Sequence, residues 1–330
     1  MIRRLVALVS VPIIIFGLLG TWGLINSTNS GRRLALIVNT WNDFPSENTT
    51  DVDAMPAQAL QAYFALRSIG FSDEDVYLML YHPNQSLIDV DGDGSNDLEQ
   101  ATIDNDVVDM ANLGAALENL ASNLTQYDEA IVYVVGHGYN MSESSSAFSF
   151  ENGDLVTETE FDRWLDLIEC KHLTILLDFC YSGDFAGSLK DTGRLIVSAA
   201  EDGKESWYYW DWARLLNTTN KAVYGNSGSA FFHPFWKKFG EGTTIEDAYD
   251  YGKGECVRWG SIDTRNARAK NVTQIQNPQI YSIYRTDLEK FVFFFPGGSS
   301  VYYVALLILS FYELVIIAAA VVTWIQRPRH

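Results

Sequence analysis

Two short segments constrain this chain more than anything else in it: Val132-Tyr-Val-Val-Gly-His137-Gly138 and Leu176-Leu-Asp178-Phe-Cys180-Tyr-Ser-Gly183. Val132 to Val135 and Thr174 to Leu177 are runs of apolar and β-branched residues, the pattern of parallel strands covered on both faces. Each run stops abruptly at a reactive side chain, His137 in one and Cys180 in the other. In open α/β sheets the functional crevice lies outside the carboxyl ends of the strands. If the two strands are neighbours, imidazole and thiol meet there, and that pair is the minimum equipment for thiolate catalysis. A lone buried cysteine is usually a small hydrophobe and a lone histidine a satisfied polar group. The joint pattern, with glycines on both sides of the histidine and an acid two residues before the cysteine, says more.

These residues resemble the clan of caspase-like cysteine peptidases, and within it the legumain family, which includes the catalytic subunit of the GPI-anchor transamidase. The likeness runs from about Leu34 to Tyr284. It takes in a strand at Leu34–Asn39, a helix at Ala54–Ser68 ending at Gly70, and a strand at Val76–Leu80. A hairpin with an Asn-Gly turn follows the His strand within Ala147–Leu155. Thr157 and Glu160 stand at capping-box spacing to open a helix, the Cys strand comes next, and another strand covers Leu195–Ala200. Two helices are expected at Gly228–Gly240 and Thr243–Arg258, and a last strand at Gln279–Tyr284. The implied fold class is α/β, a three-layer sandwich around a mainly parallel sheet. Gly-His-Gly and Asp-x-Cys-x-Ser-Gly are the specific marks of the resemblance.

The resemblance implies that His137 is the general base or proton shuttle and that Cys180 attacks the peptide carbonyl. It also implies an oxyanion hole from the backbone N–H groups of Gly138 and Cys180. Such donors, aimed at charge that develops only in the transition state, are each worth about 3–4 kcal/mol. The residue two before the nucleophile lines the S1 pocket in this clan, which here is Asp178. An acidic floor suits a P1 Arg, Lys or Asn. Legumain-like enzymes that select asparagine carry an arginine soon after the first strand, whereas Asn39 to Gln58 has no basic residue here and contains Asp43, Asp51 and Asp53. Asp53 is therefore a second candidate S1 acid, favouring Arg or Lys. The alternative for Asp178 is that it buttresses the strand end.

Two hydrophobic stretches bracket this domain. Leu5–Ile25 is nearly continuous apolar behind Arg3 and Arg4, and Val301–Ile325 ends before Arg327 and Arg329. About 20 apolar residues span a bilayer. The expected organisation is a signal anchor or signal peptide over 1–26, a peptidase domain over 31–298, a transmembrane helix over 299–326 and a short basic cytoplasmic tail over 327–330. Both basic clusters then lie on the cytoplasmic side, and the catalytic domain is lumenal or extracellular. Seven Asn-x-Ser/Thr sequons (Asn26, Asn48, Asn84, Asn123, Asn140, Asn217 and Asn271) fit a glycosylating compartment. Glu313 inside the second stretch is costly in lipid unless protonated or partnered, so a membrane subunit is a candidate partner. The net charge of −19 excludes nucleic acid as a natural partner, and the resemblance implies a polypeptide substrate.

Asp89-Val-Asp91-Gly-Asp93-Gly-Ser95-Asn-Asp97 has oxygens at alternate positions and a glycine at the sixth, the start of a calcium loop. A structural Ca2+ held by Asp89, Asp91, Asp93, Ser95 and Asp97 is the one cofactor expected, with no organic cofactor. The loop would precede a helix over Asp106–Ala121. The chain has three cysteines, Cys170, Cys180 and Cys256; with Cys180 as nucleophile, Cys170 and Cys256 could pair in an oxidising compartment, a question the sequence leaves open. Lys190, Arg194, Lys204 and Lys221 are candidate self-cleavage points. Trp207, Tyr208, Tyr209, Trp210 and Trp212 lie in the segment that walls the substrate groove in related peptidases; walling that groove, meeting the membrane interface and packing in the core all stay open for them. Three functional readings stay open: a cysteine endopeptidase, a transamidase, and a non-catalytic calcium-stabilised binding module.

Overall fold

A computed structural model describes residues 31–41, 54–81, 88–91, 93–142, 145–206, 208–209, 228–266 and 276–283, some helix and strand residues by their backbone alone. Six strands form one sheet in the order β11-β8-β7-β3-β1-β2. Five of these are parallel: β1 (Arg33–Asn39), β2 (Val76–Leu80), β3 (Glu129–Val135), β7 (His172–Asp178) and β8 (Arg194–Ser198). The edge strand β11 (Gln279–Ser282) runs antiparallel to β8. β1, β3 and β7 are buried at every position after the first, as their unbroken apolar sequence requires.

Alternate side chains of the sheet feed two separate cores. On one face, Ala35, Ile37, Leu78, Tyr133, Val135 and Leu176 pack against α1 (Ala54–Ser68), α6 (Phe232–Phe239) and the start of α7 (Ile245–Asn266). On the other, Leu36, Val38, Val132, Val134, Ile175 and Leu177 meet α3 (Met110–Asn123), α4 (Glu158–Leu165) and α5 (Ser182–Ser188). This is the expected three-layer α/β sandwich. Each fully buried Leu, Ile or Phe contributes about 1.5–3 kcal/mol. The first core is strongly aromatic: Tyr133 meets Trp236 edge to face at 5.0 Å and leans against Phe232 at 5.4 Å between centroids, and Phe235 meets Trp236 edge to face at 5.4 Å.

The local signals act as expected at Gly70, which takes φ +92 just past α1, and at Thr157 and Glu160, which form a complete capping box on α4. Elsewhere the boundaries move. The helix expected from Asp106 begins at Met110, because Asp109 caps it by accepting the Asn112 N–H at 2.7 Å. A short helix, α2 (Asp97–Gln100), grows out of the acidic loop. The helix expected from Gly228 starts at Phe232, because Gly228–Ser229 instead form a short strand, β10, against β9 (Tyr208–Tyr209).

A small antiparallel sheet projects from the carboxyl side of the main one. It holds β4 (His137–Ser142), β5 (Ser145–Ser149) and β6 (Leu155–Thr157) in the order β4-β5-β6, the last two forming the expected hairpin. Cys170 packs against one core and Cys256 lies in the other, so the sheet separates them and both are free thiols. Arg194 is buried under ion pairs to Asp162 at 2.7 Å and Asp166 at 2.8 Å, which shields that candidate self-cleavage point. Among the described residues no helix is long and apolar enough to cross a membrane. Leu5–Ile25 and Val301–Ile325, with Glu313, lie outside the described residues.

Candidate active site

β3 and β7 are adjacent and parallel, and their last residues, Val135 and Asp178, are register partners. His137 stands two residues beyond Val135 and Cys180 two residues beyond Asp178. The sheet therefore brings both residues to neighbouring chain exits at its carboxyl edge, each half-buried. The two chain exits are stitched together, since the Gly136 N–H donates to the Asp178 carbonyl at 3.2 Å.

The glycines around the histidine are there for space. A Cβ on Gly136 would overlap the Thr40 hydroxyl, and a Cβ on Gly138 would overlap the carbonyl oxygen of Cys180. The two backbones expected to supply oxyanion donors, Gly138 and Cys180, thus lie in contact. Trp41, at the end of β1, sets its ring against His137 edge to face, with centroids 5.1 Å apart. Nothing in the sequence singled out Trp41 from the other eight tryptophans.

The loop after β8 closes over the cysteine. The Tyr181 N–H donates to the Lys204 carbonyl at 2.7 Å and the Gly203 N–H to Asp184 at 2.9 Å. Tyr181 itself takes φ +63, the left-handed region that costs a non-glycine residue energy. Within this loop the Cys180 thiol donates to the Ser206 carbonyl at 3.5 Å, and the Ser206 hydroxyl lies 3.7 Å from the sulfur. Burial pushes the Cys180 thiol above its ordinary value, with Glu205 and Asp178 adding to the rise and the Ser206 contacts opposing it. A thiol held high in this way needs a base to take its proton as it attacks.

Asp178 sits beneath this pair. It is 0% exposed, and its two oxygens accept hydrogen bonds from Tyr133 and Ser229, both at 2.8 Å. Burial pushes its carboxyl up to about 7, against the opposing effect of the Ser229 and Tyr133 hydroxyls. Ser229 is held in turn, its hydroxyl accepting from the Phe232 N–H at 3.1 Å and its N–H donating to Gln58 at 3.1 Å. Here Asp178 ties β7, β3 and β10 together, the buttressing arrangement rather than an open pocket wall. Asp53, the other candidate S1 acid, lies outside the described residues, as do the side chains of the aromatic loop from Trp207 to Trp212.

The sequence as a whole bears on the same site. The family model described as Caspase domain matches residues 32–290, about four-fifths of the chain and all of the elements above. The chain belongs to the caspase-domain family. No curated protein matches it in a sequence comparison. Caspase-domain proteins are cysteine peptidases, so at the coarse level this chain is a cysteine-type hydrolase acting on polypeptides.

The acidic loop of this caspase domain lies beyond β2, away from the cysteine strand. The carboxylates of Asp89, Asp91 and Asp97 converge, with ligand oxygens within 4.8 Å of one another. Asp89 and Asp97 are buried, while Asp91, Asp93 and Ser95 are exposed. Backbone N–H groups orient the carboxylates: Gly94 donates to Asp89 at 2.9 Å, Val90 to Asp97 at 2.5 Å, and Ser95 to Asp93 at 2.6 Å. Gly94, at the sixth place, takes φ +87. Burial pushes Asp97 up to about 6, and the neighbouring Asp91, Asp89 and Asp93 push the same way.

Proposed function

We propose that this caspase domain is a membrane-anchored, extracytoplasmic endopeptidase of legumain-like type, cleaving after a P1 residue suited to an acidic S1 site. The observation that supports the reading is the register of β3 and β7, whose neighbouring ends lead into His137 and Cys180. His137 accepts the proton of the Cys180 thiol as sulfur attacks the scissile carbonyl, and returns it to the departing amine. The developing oxyanion falls beside the Gly138 and Cys180 backbone. Water or another amine then resolves the acyl-enzyme.

P1 Arg or Lys would bring a cation, and P1 Asn a carboxamide donor, to the end of β7, beneath which Asp178 buttresses the strand. Either side chain would have to reach the Tyr133–Asp178–Ser229 cluster from above. A transamidase differs from this only in the nucleophile that resolves the acyl-enzyme, and Glu313 in a C-terminal span supports it as the second reading. The calcium site belongs to the same proposal. Asp89, Asp91 and Asp97 already converge and Asp93 and Ser95 stand beside them, a hard-oxygen set suited to Ca2+ that would order the segment between β2 and α3.

The purified chain, assayed with calcium on fluorogenic peptides bearing P1 Arg, Lys, Asn or Asp, tests this directly. Turnover after Arg, Lys or Asn that disappears in Cys180→Ala is the expected result. Turnover that survives Cys180→Ala overturns the assignment.

A further inference from the structure

The turn after Cys180 runs Tyr181-Ser182-Gly183-Asp184, and each of these four residues touches the loop after β8. The Tyr181 N–H donates to the Lys204 carbonyl at 2.7 Å. The Ser182 hydroxyl, fully buried, accepts from the Ala200 N–H at 3.2 Å. Gly183 lies so close that a Cβ on it would fall 2.4 Å from backbone atoms of both Glu201 and Asp202. Asp184 accepts the Gly203 N–H on Oδ1 at 2.9 Å.

Asp184 goes further than the other three, because its second oxygen reaches a different element. Oδ2 accepts the hydroxyl of Ser146, on β5. Ser146 is buried, its N–H donates to Glu158 at 3.2 Å, and it is the register partner of Asn140 on β4, the strand that starts at His137. One carboxylate, four residues past Cys180, therefore ties the loop over the nucleophile to the small sheet that begins at the histidine. The same loop ends at Ser206, whose carbonyl and hydroxyl meet the thiol. Glu201, Asp202 and Glu205 put three acids into its first five residues, so charge alone would drive it away from Asp184. What holds it is the directed hydrogen bond from the Gly203 backbone to the carboxylate, a charge-assisted bond about twice as strong as a neutral one.

We propose that Asp184 is a positioning residue for the substrate, fixing the Glu201–Ser206 loop against the small sheet as a preformed wall beside Cys180. This rests on the peptidase reading and deepens it. Asp184 acts through Gly203 and Ser146 and does not itself touch the sulfur. Without its carboxylate the loop keeps its bonds to Tyr181 and Ser182, but nothing in this bridge ties it to β5. An extended peptide needs that wall to bring its carbonyl into line, whereas a small electrophile needs only the sulfur.

The test compares two rates of Cys180 labelling in the full chain, one with a peptidyl acyloxymethyl ketone and one with iodoacetamide. In Asp184→Ala the ketone rate should fall about tenfold, the low end for losing a hydrogen bond to a charged group, while the iodoacetamide rate does not fall. Asp184→Asn, whose amide oxygen can still take the Gly203 N–H, should recover part of the loss. Ser146→Ala, which removes only the link to β5, should lose part of the ketone rate, and it carries the test alone where Asp184→Ala does not fold. A wild-type ketone rate in Asp184→Ala, or in Ser146→Ala, overturns the inference and leaves the peptidase intact. Equal falls with both reagents overturn it as well, since the thiol rather than the substrate is then what Asp184 serves. Absence of ketone labelling in the unsubstituted chain removes the peptidase reading and this inference with it.

Discussion

Gly138 lies directly against the carbonyl oxygen of Cys180, with no room for a Cβ between them. The contact joins the loop that carries the histidine to the turn that carries the nucleophile, and it is made by backbone on the cysteine side, which cannot swing away as a side chain could. Gly138→Ala should therefore force the two strand ends apart. The expected effect is a loss of about 1–3 kcal/mol of stability, the usual size for overpacking, with kcat falling far more than KM rises. Thermal unfolding and steady-state kinetics on the same variant measure both. Wild-type kcat in Gly138→Ala would contradict the contact.

Asp178 predicts a pH dependence. Its carboxyl is pushed up to about 7 in the folded chain, above the ordinary aspartate value near 4. The folded state then holds the proton more tightly than the unfolded one. Stability from this group is full below pH 4 and is lost as pH rises through 7. Asp178→Asn removes that loss, so its melting temperature should fall less than that of the wild type between pH 4 and pH 8. The gain at pH 8 should be on the order of 1–3 kcal/mol. Parallel curves for the two proteins would show that Asp178 is charged and satisfied in the fold.

Cys180 predicts a reactivity profile. Burial holds its thiol above the ordinary cysteine value, so alkylation by iodoacetamide should keep rising with pH across the usual thiol range. A plateau at acidic pH would indicate a preformed thiolate–imidazolium pair instead. The other two thiols are also held high, Cys170 to about 11 and Cys256 to about 12, both by burial. Labelling at moderate pH should therefore map mainly to Cys180.

The acidic loop predicts stabilisation by metal. Calcium at about 100 times its dissociation constant should add roughly 2.7 kcal/mol to the unfolding free energy. Asp91→Asn, at an exposed member of the cluster, should reduce that gain without unfolding the domain. Titration calorimetry with calcium alone measures the affinity directly. Equal melting temperatures with calcium and with chelator would rule out the site.

Much of this was legible in the chain because the catalytic strands are long, apolar and β-branched, and each ends at a chemically distinct residue. β4 was not, because Tyr-Asn-Met-Ser after Gly138 carries no buried alternation: its outer residues are exposed and only its pairing with β5 makes it a strand. The start of α3 was placed too early, at Asp106, because only the folded backbone shows Asp109 as its cap. The surroundings of Asp178 were hidden for another reason. Tyr133 and Ser229 lie 45 and 51 residues away in the chain, and no local pattern announces a hydrogen bond over that span. The cysteines show the same limit, since a spare pair in the sequence says nothing about the sheet that stands between them.

The most direct measurement is covalent labelling with a peptidyl acyloxymethyl ketone, followed by mass mapping of the modified residue in the wild type and in His137→Ala. The account predicts a single adduct on Cys180, formed much more slowly when His137 is absent. Labelling of Cys170 or Cys256 in its place, or equal rates with and without His137, would contradict a His137–Cys180 dyad.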